Sequence, residues 1–213
     1  MNLSRIPVSP FVELTYILWT AEGGEAIVID PGMMTADERT QVVQFLESHR
    51  LTLRRVLLTH IHIDHVASAQ WLAQRYQAPI EGGEADEPMG AFLPLQAAHF
   101  GLKIDVQPLK LDGYLKHNDI IRLGDEEIRV LEVPGHSPGS LAFYAPESHL
   151  VIGGDVLFAS SIGRCDLPGS SFDVLIHSIR TQLFTLPDDT VVYPGHGPET
   201  TIGEERVNNP FLI

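Results

Sequence analysis

The chain has 213 residues, of which 44% are hydrophobic and 20% are charged, and its formal net charge is −14. This length supports a substantial core, while the acidic balance argues against an extended nucleic-acid surface, which needs clustered lysine and arginine. Since Cys165 is the only cysteine and the sequence has neither a signal-peptide pattern nor an apolar run of membrane-spanning length, we expect a soluble, cytoplasmic protein that binds no nucleic acid and no membrane.

The first part of the chain alternates predicted strands and helices. Thr35 is a candidate N-cap, and Glu38 three residues later completes a capping-box pattern. The predicted elements are strands over 11–20, 25–32 and 54–60 and helices over 35–50 and 65–77. Such an alternation indicates sheets covered by helices.

The second part of the chain is richer in strands. Residues 82–104 have no regular period and are expected to form short helices and loops that cover a site. The elements predicted after them are strands within 119–135, 140–148, 149–158 and 190–197 and an amphipathic helix over 171–186. The order of elements predicts one domain over 1–213, with two sheets inside and helices outside.

The stretch "THIHIDH", residues 59–65, places three histidines and an aspartate in six consecutive positions. Burying these groups together is costly unless a cation satisfies them. His60 and His62 are two residues apart at a predicted strand end, so that both rings can reach one ion. Asp64 and His65 lie where the next helix should begin and can point to a neighbouring position. A second ion explains why the loop carries more donors than one tetrahedral zinc uses.

Three further residues follow apolar strands in the same manner. His136 and His196 each come after a strand and a Pro-Gly pair, and Asp155 follows "LVIGG". An isolated histidine at a strand end is more often an ordinary polar residue than a ligand, but the matching contexts favour ligation here. Asp155, with two carboxylate oxygens, is suited to bridge two ions. Five histidines and two aspartates therefore form a candidate two-metal set.

Two divalent ions that share a water molecule lower its pKa and supply hydroxide at neutral pH. One ion also polarises the substrate carbonyl. Asp64 is expected both to bind a metal and to orient the nucleophile. A metal-bound hydroxide next to a polarised carbonyl predicts metal-assisted hydrolysis of a carbonyl or phosphoryl compound. No GxSxG pattern indicates a serine triad. Asp30, after the strand "AIVI", is expected to orient the histidine loop, or alternatively to cap the turn before Pro31.

The motifs "THIHIDH", "PGHSPGS", "GGDVLF" and "PGHGP", in this order, resemble those of the metallo-β-lactamase superfamily. The resemblance implies an α/β fold, the four-layer αββα sandwich, with two divalent ions at one edge between the sheets. Zinc is the first choice of metal, and iron and manganese are alternatives. The family scheme gives the first ion to His60, His62 and His136, the second ion to Asp64, His65 and His196, and the bridging position to Asp155.

Within the superfamily, "SIGRCDLPG" and "PGHGPETTIGEERVNNPFL" resemble small bacterial glyoxalase II-like hydrolases, relatives of hydroxyacylglutathione hydrolase. The implied reaction converts S-D-lactoylglutathione, or a related glutathione thioester, to a hydroxy acid and glutathione. Arg164 is the candidate substrate contact, with a salt bridge to Asp166 as its alternative role. We expect a small-molecule thioester as the partner and a monomer or small homo-oligomer.

Other activities on the same fold are alternatives. A persulfide dioxygenase with one iron would use only two histidines and one aspartate, His60 or its neighbour, His136 and Asp155, whereas a lactonase would share the whole ligand set. A β-lactamase is disfavoured because Cys165 does not occupy a metal-binding position, and a nuclease is disfavoured by the acidic charge. A protein that keeps the metals only to sense or scaffold is a further alternative.

Overall fold

The computed structural model describes residues 1–213, and two six-stranded sheets form its centre. The first sheet contains β1 (Asn2–Val8), β2 (Glu13–Trp19), β3 (Glu25–Ile29), β4 (Thr52–Leu57), β5 (Ile80–Gly82) and β6 (Gly113–Tyr114), in that spatial order. Strands β1 to β3 are antiparallel, whereas β3 to β6 are parallel. The carboxyl ends of β3 and β4 consequently lie at the same edge of this sheet.

The second half of the chain forms the other sheet and a small hairpin. Its strands are β7 (Ile120–Leu123), β8 (Glu126–Glu132), β9 (Leu141–Ala145), β10 (Leu150–Gly154), the hairpin β11 (Leu157–Phe158) and β12 (Ser161–Ile162), then β13 (Val191–Pro194) and β14 (Thr200–Thr201). The spatial order in the sheet is β14-β13-β10-β9-β8-β7. Since β9 is antiparallel to both β8 and β10, and β10 is parallel to β13, strands β8, β10 and β13 run in one direction. Their carboxyl ends meet at one edge.

Seven helices cover the outer faces of the two sheets. They are α1 (Ala36–Ser48), α2 (Ile63–Val66), α3 (Ala69–Tyr76), α4 (Glu87–Gly90), α5 (Leu93–His99), α6 (Phe172–Thr181) and α7 (Ile202–Asn208). None of them combines the length and the apolar character that a bilayer crossing requires.

Three separate apolar clusters define four layers. Along β3, Val28 faces the cluster that contains the buried sides of α1, α3 and α5, whereas Ile27 and Ile29 face the cluster between the sheets. Leu175 of α6 and Ile202 of α7 belong to the third cluster, on the outer face of the second sheet. This alternation along the strands produces the predicted αββα sandwich.

Several local predictions differ from the structure. Thr35 caps α1 in the predicted capping box, but the helix predicted over 65–77 consists of α2 and α3. The chain breaks there because the backbone N–H of Ser68 donates to the carbonyl of Pro31, and its hydroxyl donates to the carbonyl of Met33 at 2.5 Å. Strand β1, the short strands β5, β6, β12 and β14, and helix α7 were not predicted.

Candidate metal centre

The candidate ligands lie on loops that leave the same edge of the two sheets. Strand β4 ends at Leu57 rather than at His60, so the histidine pair stands in an extended segment beyond the strand and not on its last residues as predicted. Asp155 follows β10 directly, and His196 lies two residues beyond β13. Because β8, β10 and β13 run in one direction, residues far apart in the sequence meet at one place.

His60, His62 and His136 form the first group of converging ring nitrogens, all within 4.8 Å of one another. The Nε2 atom of His136 lies 2.9 Å from the Nδ1 atom of His62. Two ring nitrogens at this separation share either a proton or a cation. The three residues assigned to the first ion are therefore brought together.

Asp64, His65 and His196 form the second group, also within 4.8 Å. Asp64 and His65 lie in the first turn of α2, which places them beside His196 from the far end of the chain. The Nε2 atom of His196 lies 3.3 Å from Oδ2 of Asp64. Tetrahedral zinc with ligands at about 2.0–2.1 Å separates its ligand atoms by roughly 3.3 Å, so this spacing suits a shared ion.

Asp155 lies between the two groups. Its Oδ2 atom is 3.8 Å from Nε2 of His136 in the first group and 3.7 Å from Nε2 of His196 in the second. Its Oδ1 atom is 3.5 Å from Nε2 of His65. A side chain on Gly195 would meet Oδ1 of Asp155 at 2.2 Å, so only glycine allows the carboxylate this position. The carboxylate can thus contact ions in both positions.

Hydrogen bonds fix which nitrogen each ring presents. The Nδ1 atom of His136 lies 2.9 Å from the carbonyl oxygen of Arg164, and the Nδ1 atom of His196 lies 3.1 Å from that of Phe11. Since a carbonyl oxygen can only accept, both rings carry their proton on Nδ1. Their Nε2 lone pairs point into the site.

Asp30 organises two further rings, together with Thr59. Its carboxylate accepts from the backbone N–H of Thr59 at 2.7 Å, from the hydroxyl of Thr59 at 2.6 Å and from Nδ1 of His65 at 3.0 Å. The hydroxyl proton of Thr59 is used by Asp30, so its oxygen accepts from Nδ1 of His60 at 3.0 Å. Both Nε2 atoms then face the ligand cluster. Asp30 also lies close enough to His60 and His65 to form a third possible metal group, but its contacts to Thr59 and His65 occupy the carboxylate.

The electrostatics of the cluster fit a cation. Buried atoms without a hydrogen-bond partner include Nε2 of His60, Nε2 of His65 and Oδ1 of Asp155. Burial and the neighbouring imidazoles lower the pKa of His60 well below its usual range, so the ring is neutral, as a metal ligand must be. Burial lowers the pKa of His65, but the carboxylates of Asp155 and Asp64 outweigh it and raise that pKa well above its usual range. The cluster therefore holds acceptors that only a proton or a metal can satisfy.

Two buried acids at the site were not predicted from the sequence. Asp86 accepts from the hydroxyl of Ser137 at 2.6 Å and from the backbone N–H of Gly139 at 2.6 Å and of Ile61 at 3.2 Å. It thereby ties the His60–His62 loop to the loop that carries His136. Glu13 is fully buried with Oε1 unpaired, and burial raises its pKa well above the usual range. No local sequence signal marked either residue.

A cavity of about 680 Å³ opens above the cluster. His62, Asp64, His136 and Asp155 line it, and the segment predicted to cover the site forms one of its sides through α4 and α5. Arg164 also lines the cavity, and its guanidinium forms two hydrogen bonds with Asp166, at 2.8 and 2.9 Å. Both roles predicted for Arg164 are compatible with this position.

Comparisons with known proteins agree with this geometry. A sequence model of the metallo-beta-lactamase superfamily matches residues 8–196. A hydroxyacylglutathione hydrolase, GloC, of Haemophilus influenzae is 39% identical over 100% of this chain and 98% of its own. The crystal structure of BLEG-1 B3 metallo-beta-lactamase is 32% identical with a TM-score of 0.89, covering 99% of both chains. The structure of TTHA1623 in a di-iron-bound form is 38% identical with a TM-score of 0.85, covering 98% of this chain and 100% of that one. The predicted family and fold are confirmed.

Proposed function

The chain belongs to the metallo-beta-lactamase superfamily and is a metallo-hydrolase, and we propose that it hydrolyses glutathione thioesters, S-D-lactoylglutathione or a close relative, to a hydroxy acid and glutathione. The observation that carries the proposal is the convergence of two ligand groups, His60–His62–His136 and Asp64–His65–His196, on either side of Asp155. A set of this size suits two divalent ions, for which we propose zinc, with iron or manganese as alternatives.

The ions would be held by the seven residues described above and would supply Lewis acidity toward the thioester carbonyl and toward a water molecule. Asp64 is partly exposed at the floor of the cavity. Burial raises the pKa of Asp64, but the interactions with His65 and His196 lower this pKa by a larger amount, so the carboxylate is ionised at neutral pH. It can accept a hydrogen bond from the attacking water and so orient the attack on the acyl carbon.

The chemistry of the leaving group favours a thioester over an amide. Water adds to the acyl carbon, the C–S bond breaks, and its electron pair leaves on sulfur. A thiol has a pKa of about 8.5, so the thiolate departs without a dedicated acid. An amine leaving group must be protonated, but His136 and His196 hold their Nδ1 protons in hydrogen bonds to the carbonyl oxygens of Arg164 and Phe11, away from the cavity.

The similarity to the H. influenzae hydroxyacylglutathione hydrolase supports the substrate assignment, because the two sequences are 39% identical and the alignment covers the whole of this chain. The structural similarity to BLEG-1 makes β-lactams a necessary comparison. The iron-dependent oxidation of a persulfide and the hydrolysis of a lactone are the other two activities predicted for this set of ligands. One panel of substrates separates all four reactions.

The test is steady-state kinetics of the zinc-loaded protein with S-D-lactoylglutathione, an aliphatic lactone and a β-lactam, and of the iron-loaded protein with glutathione persulfide. We expect kcat/KM for the thioester above about 10⁴ M⁻¹s⁻¹, the lower end for dedicated enzymes, and loss of activity with a chelator. His196→Ala should abolish turnover. The matched control is His149→Ala, since His149 is 57% exposed and pairs with Asp189 at 2.9 Å on the surface. Faster turnover of any other member of the panel would reject the assignment.

A further inference from the structure

Helix α5 packs Leu93 and Ala97 into the core and presents a second, largely apolar face to the cavity. Phe92, Leu95, Gln96, His99 and Phe100 share one face at helical spacing, and all five line the cavity. The side chains of Phe92, Leu95 and Phe100 remain 57%, 66% and 47% exposed. Large apolar side chains clustered at the mouth of a ligand cavity are more informative than scattered ones, because together they form a binding surface.

Other residues extend this surface. Phe11 packs edge-on against Phe100, with ring centroids 5.5 Å apart, and Met89 of α4 lies on the same cavity. We use the term apolar wall for the following residues: Phe11, Met89, Phe92, Leu95 and Phe100.

The apolar wall is fixed to the candidate metal ligands. Gln96 Oε1 accepts from the backbone N–H of Ile63 at 3.0 Å, which joins α5 to the start of α2. The carbonyl of Phe11 is the acceptor for Nδ1 of His196. A substrate whose carbonyl lies at the ligand cluster therefore places one of the groups attached to that carbonyl against the apolar wall.

The charges on the cavity lining restrict what the wall can bind. Arg164 is its only lysine or arginine, and Asp166 already pairs with that guanidinium. The net charge of −14 adds a general repulsion of anions. Glutathione carries two carboxylates, so the glutathionyl half of a thioester is the poorer match to an apolar surface.

We propose that the apolar wall binds the acyl chain of the substrate and selects glutathione thioesters whose acyl group is apolar and several carbons long over S-lactoylglutathione. This inference rests on the proposed thioester hydrolysis and narrows its substrate class. Each methylene of a ligand that becomes fully buried raises the binding constant by a factor of about four. Since the side chains of the apolar wall are about half exposed, we expect kcat/KM to rise only about twofold for each methylene of the acyl chain.

The test compares S-acetyl-, S-butyryl- and S-hexanoylglutathione with S-lactoylglutathione on the zinc-loaded protein. The expected result is a kcat/KM that rises about 16-fold from acetyl to hexanoyl, at about twofold for each of four methylenes. Phe92→Ser and Leu95→Ser should flatten this rise. Val207→Ser is the matched control, because Val207 is 67% exposed on α7 and does not line the cavity, and it should keep the full rise.

A second measurement does not depend on turnover. Calorimetric binding of S-methyl-, S-butyl- and S-hexylglutathione should tighten with chain length in the wild-type protein, and less so in Leu95→Ser. Turnover of S-lactoylglutathione with no dependence on chain length would overturn the inference and leave the proposed function intact. If no thioester is hydrolysed, the proposed function fails. The binding series then decides by itself whether the apolar wall binds an apolar chain. Equal affinities for the three S-alkylglutathiones would show that it does not.

Discussion

Asp30→Asn tests whether the carboxylate of Asp30 sets the metal affinity of the cluster. Asp30 is 1% exposed, and it accepts hydrogen bonds from the N–H and hydroxyl of Thr59 and from Nδ1 of His65. Asparagine has nearly the same shape but only one acceptor oxygen. Its NH₂ group must face either the backbone N–H of Thr59 or the side that holds the Thr59 hydroxyl and His65.

Both orientations weaken the site. In the first, two donors face each other, at a cost of about 1–3 kcal/mol for the unsatisfied group. In the second, Nδ1 of His65 becomes the acceptor, so that the ring carries its proton on Nε2 and turns an N–H toward Asp155, 3.5 Å away. A protonated Nε2 cannot bind a metal. We expect the affinity for the ion at His65 to fall about 10- to 100-fold, or roughly 1.4–2.7 kcal/mol.

The assay is competition for zinc between the folded variant and a chromophoric chelator. Asp119→Asn is the matched control, since Asp119 is an exposed carboxylate that accepts from the backbone of Lys116 at 2.8 Å. The control should bind both ions like the wild type. Zinc affinities of Asp30→Asn within twofold of the wild type, with circular dichroism unchanged, would show that the Asp30 carboxylate does not set the metal affinity of the cluster.

Three further outcomes are expected. His136→Ala should lower kcat/KM about 10³-fold or more while the protein stays folded, because it removes one of the proposed metal ligands; near wild-type turnover in the folded variant would contradict its assignment. Asp86→Ala should lower the free energy of unfolding in urea by about 2–4 kcal/mol, since three buried donors lose their acceptor; a change under 0.5 kcal/mol would show that the loops do not depend on it. Burial lowers the pKa of His65, but the carboxylates of Asp155 and Asp64 raise it well above its usual range in the metal-free protein. Zinc binding at pH 7 should therefore release a proton from this ring and tighten as the pH rises. Calorimetry in buffers of different ionisation enthalpy measures the number of protons released, and a value of zero would contradict this protonation state.

The seven candidate ligands could be predicted from the sequence because each one carries a local signal. Pro-Gly-His after an apolar strand marks His136 and His196, and the density of donors marks the "HIHIDH" stretch. The structure brings all seven predicted ligands together. Asp86 had no such signal, since its partners lie 25, 51 and 53 residues away and depend on how the segment over the cavity packs.

The missed elements have different causes. Strand β1 contains Arg5 and Pro7, which weaken a strand pattern, but it lies at the edge of its sheet, where proline is tolerated. Helix α7 had a readable start, because Thr201 accepts from the backbone N–H of Glu204 in a cap pattern visible in the sequence. The break between α2 and α3 depends on tertiary bonds of Ser68 and could not be derived from helical spacing.

The proposed two-metal thioester hydrolysis can be measured directly by titrating the metal-free protein with zinc and determining kcat/KM for S-D-lactoylglutathione at each addition. We predict that the activity rises from near zero and reaches its plateau at two equivalents per chain, above about 10⁴ M⁻¹s⁻¹. A plateau at one equivalent would contradict the role of the Asp64–His65–His196 group. An absence of turnover at full zinc occupancy would contradict thioester hydrolysis itself.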